Sequence, residues 1–214
     1  MSSFDLNPQE HYSAAATPII YARAEIEGVA LELAENLKIV PGAGAKTRES
    51  LENALKNLGA EISCVDAESA TDETFLGVEI FSQDHFAVRL SNSTTPERDT
   101  FDMAVALGHY LLHSASSTGT SPKQVENHSE SVKIPRILPE NPTDAQLQTE
   151  REGTWFACGL LMPEQLVRAL HSEAQGSIST MADKLYMCER DVQMRATSLG
   201  LVSQGSDAKL VQEM

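Results

Sequence analysis

The sequence predicts an α+β domain, with helices first, a small β-sheet next, and helices again to the end. An apolar repeat near 3.6 residues runs to about residue 58, and short alternating runs follow between residues 61 and 90. A strongly apolar helical pattern resumes at Arg98.

Residues 1–14 are polar and read as a flexible arm, with a single domain expected over 15–202. From Pro18 to Ile39 a helical face collects Ile19, Ile20, Ala24, Ile26, Ala30, Leu33, Ala34 and Leu37, and Pro41, Gly42 and Gly44 break it. A second helix is expected from Thr47, a good N-cap residue, through Leu51, Leu55 and Leu58 to Gly59. Glu61 to Val65 is a short strand signal. Leu76 to Phe81 and Phe86 to Leu90 alternate more clearly, and Ser82-Gln83-Asp84 between them suits a hairpin.

After the turn-rich stretch Ser91 to Pro96, Arg98 to Leu112 reads as an apolar helix. Ser114 to Thr143 is rich in Ser, Thr, Pro and charge, offers little to bury, and is expected to be a mobile loop. Helices resume over Asp144 to Leu161, and Pro163 suits the first turn of the next, which runs to Ala174. Ser179 to Met187 and Arg190 to Leu199 form a closing helix pair ended by Gly200, and residues 203–214 read as a flexible tail.

The 214 residues are 41% hydrophobic and 22% charged, ordinary for a globular domain, and 5% aromatic, so the core should be aliphatic. Sixteen basic against 31 acidic residues give a formal charge of −15, which opposes contact with phosphate backbones. The closing pair has the outline of a helix-turn-helix, but Lys184, Arg190 and Arg195 are offset by Asp183, Glu189 and Asp191. No direct nucleic-acid contact is expected. Cys64, Cys158 and Cys188 have no metal-type spacing and do not suggest a disulfide framework. Cys158 lies among alanines and leucines and reads as a small buried hydrophobe. There is no apolar run of about 18 residues and no basic-then-apolar N-terminus. No membrane association is expected, and a cytoplasmic location is.

Two segments carry a resemblance. Arg98-Asp-Thr-Phe-Asp-Met-Ala-Val-Ala-Leu-Gly-His109-Tyr-Leu-Leu-His113 is similar to a signature helix in which Arg-x-x-Phe-Thr precedes Ala-His-Glu-Leu-Gly-His. Glu150-Arg-Glu152-Gly-Thr-Trp-Phe156-Ala157-Cys-Gly-Leu160-Leu161-Met162-Pro163 is similar to Glu-x-Glu-Ala-Asn-x-Phe-Ala-x-x-Leu-Leu-Met-Pro. Both, in this order, resemble the ImmA/IrrE family of zinc-metallopeptidase-like proteins over roughly residues 47–202. The resemblance implies a zincin-like helical domain with a small β-sheet and a C-terminal helix pair.

In the H-E-x-x-H helix of such enzymes, histidines four apart share a face and one zinc, and the glutamate between them is the general base. Carried onto this chain, the resemblance makes His109 the second histidine and Glu152 the carboxylate ligand from the later helix. Val105 stands at the first histidine and Ala106 at the base, and neither can bind zinc or move a proton. His109 and Glu152 are thus expected to be remnant ligands facing each other across a small cleft, with no catalytic residue and no resident cofactor. His113, also four residues from His109, opens the alternative of a displaced zinc site with Glu152 or His128. Asp102 lies two turns before His109, about 10 Å along the axis, too far to share that metal.

Members of the family typically cleave helix-turn-helix repressors of mobile elements or stress regulons. The resemblance therefore implies an inactive regulatory relative that binds a protein partner, such as a DNA-binding repressor, with the Leu76 to Leu90 hairpin as a candidate edge for strand addition. The alternatives are a zinc endopeptidase with a displaced site and an engineered inactive form of such an enzyme.

Overall fold

The computed structural model describes residues 22–66, 75–82, 84–113 and 131–203. The expected arm, residues 114–130 of the expected loop, His128, and all of the expected tail but Ser203 lie outside the described residues. The order is α1 (Arg23–Asn36), α2 (Ala45–Asn57), β1 (Ala60–Val65), β2 (Gly77–Ser82), β3 (His85–Ser91), α3 (Pro96–His113), β4 (Val132–Pro135), α4 (Asp144–Leu161), α5 (Glu164–Glu173), α6 (Ile178–Leu185) and α7 (Glu189–Ser198). This is the α+β arrangement read from the sequence, closing helix pair included.

The sheet has the order β1-β3-β2-β4. β1 runs parallel to β3, with Ala60 opposite Phe86, and β2 and β3 form the expected antiparallel hairpin. β4 lies antiparallel to β2, with Ile134 opposite Val78. The two-residue period sends Val78, Ile80, Phe86, Val88, Leu90 and Ile134 into the core. Glu79 points the other way and is held by Arg89 at 2.7 Å and the Ser131 hydroxyl at 2.5 Å. Burial opposes its charge, but these partners hold its carboxyl below the usual range.

β4 corrects the reading of Ser114 to Thr143 as one mobile loop. Pairing with β2 and the burial of Ile134 organise residues 132–135. Thr47 is a second correction, because α2 starts two residues earlier with Gly44 at its N-cap. The Thr47 hydroxyl instead closes the preceding turn, donating to the Val40 carbonyl at 2.6 Å and accepting from the Ala43 amide at 3.1 Å. α1 ends at Asn36 rather than Ile39, and Lys38 then turns into the left-handed region at φ 57°.

α4 is the central helix, packed on α3 along one side and on α1 along another. Phe156, Ala157, Leu160 and Leu161 are buried there, and each large apolar side chain contributes roughly 1.5–3 kcal/mol. Two glycines permit the close crossings. A Cβ on Gly108 would stand 2.8 Å from the Cβ of Phe156, and one on Gly159 would stand 2.8 Å from the Cα of Glu27.

Arg195 of α7 closes the assembly. It is fully buried, donates to both carboxylate oxygens of Glu27 at 2.7 and 2.8 Å, and donates to the Met162 carbonyl at 3.0 Å. Arg195 and Asp191, counted from the sequence among the offsetting charges of the closing pair, are both buried. Cys158 is buried as expected, and burial pushes its thiol up to about 12. Among the described residues, no helix is long and apolar enough to cross a membrane.

Candidate functional site

The site lies where α3, α4, α7 and the ends of the sheet strands meet. α4 is set in phase by a reciprocal cap. Thr143 accepts from the Gln146 amide at 3.2 Å, while the Gln146 side chain accepts from the Thr143 amide at 2.8 Å. Two turns on, the α4 face opposite α3 presents Glu150, Glu152 and Gly153. Gly153 fixes the contact, because a Cβ there would stand 2.5 Å from Cε1 of His109. The imidazole rests on that glycine.

This seating corrects the expected pairing of His109 with Glu152. His109 Nε2 lies 3.6 Å from Glu150 Oε2, and His113 Nε2 lies 3.5 Å from Glu152 Oε2. Gln148 also donates to Glu152 at 2.9 Å. Burial, helped by the neighbouring His109, pushes His113 down to about 3, so His113 is neutral near pH 7. Its ring centroid is 5.6 Å from that of His109.

A charge chain runs from this seam into the molecule. Asp191 pairs with Arg98 at 2.9 Å, and Arg98 with Asp102 at 2.8 Å. Asp102 pairs with Arg136 at 2.8 Å, and Arg136 with Glu150. Burial works against the charge of Arg136, but Glu150 and Asp102 hold its guanidinium above its ordinary pKa. Burial raises Asp191 despite Arg98 beside it. Neither ring nitrogen of His109 has a hydrogen-bond partner, and Glu150 Oε2 has none, although all three atoms are buried.

Beside the chain opens a cavity of about 720 Å³ lined by β2, β3, β4, α3 and α7. Val105, Ala106 and His109 form part of its wall, together with Arg98, Asp102 and Arg136.

A family model described as the IrrE N-terminal-like domain matches residues 77–189, over half the chain and spanning both segments around His109 and Glu150. The chain belongs to the ImmA/IrrE family. No curated protein and no solved structure matches it.

With ImmA/IrrE membership established, the resemblance puts Val105 at the first histidine of the motif and Ala106 at the general base. The remaining donors can be tested against zinc. Two ligands of one tetrahedral zinc with bonds of about 2.0–2.1 Å stand about 3.3 Å apart. The 3.6 Å between His109 Nε2 and Glu150 Oε2 is near that spacing and too long for a hydrogen bond. A catalytic zinc takes three protein ligands. Among the described residues, no group of three His, Cys, Asp or Glu side chains could hold a metal. Arg136, a cation, is already bound to the other oxygen of Glu150. The donor set does not fit a catalytic zinc, and no side chain at Ala106 can take a proton from water.

Two participants escaped the sequence reading. Glu150 sits inside the quoted Glu-x-Glu segment, and the register of α4 on α3 decides which carboxylate meets His109. Arg136 has one weak signal, being the lone arginine between residues 114 and 143. The strand-addition expectation also needs correction. β1 takes the outer edge of β3 and β4 takes that of β2, so the hairpin offers no open edge. Among the described residues no strand pairs beyond β4, next to the cavity.

Proposed function

We propose that this chain is a catalytically inactive ImmA/IrrE relative that binds a protein partner in the cleft beside α3. The observation that carries the reading is the cavity of about 720 Å³ whose wall includes Val105 and Ala106 where an enzyme would need a ligand and a base. Apolar walls and strand edges bind extended chains without help from a metal. Ile137, 69% exposed, adds an apolar contact at the mouth. The formal charge of −15 favours a basic partner, such as a DNA-binding helix-turn-helix repressor, and steers it over a distance that salt shortens. The role is regulatory, in a cytoplasmic setting, without direct nucleic-acid contact.

The test is retention of partners from the native host on immobilised chain at low and high salt, beside a Val105→Trp variant that fills the cavity. Basic proteins should be retained at low salt, released at high salt, and lost with Val105→Trp. Retention of nothing at low salt, or metal-dependent cleavage of what is retained, would refute the reading. The second outcome would favour a zinc endopeptidase with a displaced site, a reading supported by the two His–carboxylate pairs at 3.5 and 3.6 Å.

A further inference from the structure

We propose, building on the reading of this cleft as a partner site, that it captures its partner by a free C-terminus. The terminal carboxylate meets Arg190 and the first turn of α7, and the last peptide N–H donates to Asp191. The charges of the wall lead there. Arg89, Arg98, Arg136 and Arg190 line the cavity against Asp102 and Asp191. Glu79 and Glu150, which do not line it, pair with Arg89 and Arg136, while Asp102 and Asp191 both pair with Arg98. Arg190 is left over. It is exposed, and among the described residues it makes no hydrogen bond or salt bridge. An unpaired guanidinium offers a planar fork that matches a carboxylate. A basic partner is steered by the acidic outer surface and still ends in a carboxylate.

The helix ends and one orphaned atom agree. α3 and α7 begin side by side at this corner, where the Thr95 hydroxyl lies 3.8 Å from the Cys188 sulfur, and both residues line the cavity. Cys188 is the N-cap of α7 and its side chain makes no capping hydrogen bond. Uncapped amides and the positive end of the helix dipole favour an anion. Glu97, Asp99 and Glu189, acids of the same two first turns, do not line the cavity. Asp191 does line it and is 3% exposed, yet its Oδ2 has no hydrogen-bond partner. A buried carboxylate oxygen needs a donor, and the last residue of a peptide carries an N–H beside its carboxylate. β4 is a poorer seat for a peptide backbone. The Arg136 amide donates to the Leu76 carbonyl at 2.8 Å, so alternation turns Lys133 and Pro135 to the open edge, and proline has no N–H to give. The apolar wall at Phe101, Val105 and Met194 takes the terminal side chain.

The probe is the peptide N-acetyl-Ala-Ala-Leu with a free carboxylate, titrated against its C-terminal amide into the isotope-labelled full chain and followed by amide NMR shifts. The free acid should bind at least about tenfold more tightly than the amide, with the largest shifts at Glu189, Arg190 and Asp191. N-methylation of the last residue, which removes its N–H, should weaken the acid about fivefold. Arg190→Gln alters an exposed side chain, leaves the fold intact, and should bind acid and amide alike. Equal binding of acid and amide by the parent chain, binding of neither, or an acid preference unchanged by Arg190→Gln or by N-methylation overturns the proposal. Host-protein retention is read separately. A partner retained undiminished by Arg190→Gln sinks C-terminal capture and leaves partner binding standing, and acid-selective binding with no partner retained does the reverse.

Discussion

Lowering the pH from about 7.5 to about 5 should destabilise the chain through His113. The ring is packed between α3 and α4, near His109 on its own helix and Glu152 across the seam, and its folded-state pKa is about 3 against an ordinary 6.5. A histidine depressed on folding is protonated mainly in the unfolded chain, so the unfolded state gains protons as pH drops and stability falls with it. The stability is fully present above about 6.5 and is lost progressively down to about 3. At pH 5 the unfolded side chain is almost entirely charged and the folded one is not, which costs about 2 kcal/mol. For a chain of this size that is a fall in Tm of about 4–8 °C. Net charge also changes over this range, so the informative quantity is the difference from His113→Gln, measured by urea unfolding with chelator present. His113→Gln should show a shallower slope between these pH values. Equal slopes would refute the assignment of a neutral, buried His113.

Arg195→Met should cost about 3–5 kcal/mol in urea unfolding, because it leaves Glu27 without its bidentate partner. Gly108→Ala should cost about 1–3 kcal/mol, read as a lower Tm, since its methyl would press on Phe156. In native protein a thiol reagent followed by mass spectrometry should label the exposed Cys64 promptly and leave Cys158 unmodified until the chain unfolds, given burial and a thiol pKa of about 12.

Elements with a strong local pattern were legible before any coordinates. The apolar periods of α3 and α4 and the hairpin around Asp84 follow from residue spacing, because each element's burial is regular along the chain. β4 was not, because four residues ending in proline carry no readable period and its only buried apolar side chain is Ile134. Thr47 misled because the same hydroxyl chemistry serves a turn or a helix start, and the backbone around Val40 decides between them. His109, Glu152 and Val105 could be placed on the right helices by spacing alone. The pairing of His109 with Glu150 depends on how α4 slides along α3, and Gly153 decides that by admitting the imidazole. The burial of Arg195 and Asp191 is likewise tertiary, since their partners Glu27 and Arg98 lie far away in sequence. Arg136 reaches the site only through the pairing of β4 with β2.

The claim on which most else rests is that this ImmA/IrrE cleft carries no catalytic metal, because Val105 and Ala106 replace a ligand and the base and Arg136 occupies the carboxylate. Metal content of the full chain, purified from its host without chelator and measured by elemental analysis, tests it directly. Zinc well below stoichiometric, unchanged by His109→Ala, is expected. About one zinc per chain, lost on His109→Ala, would contradict it and establish a working displaced site.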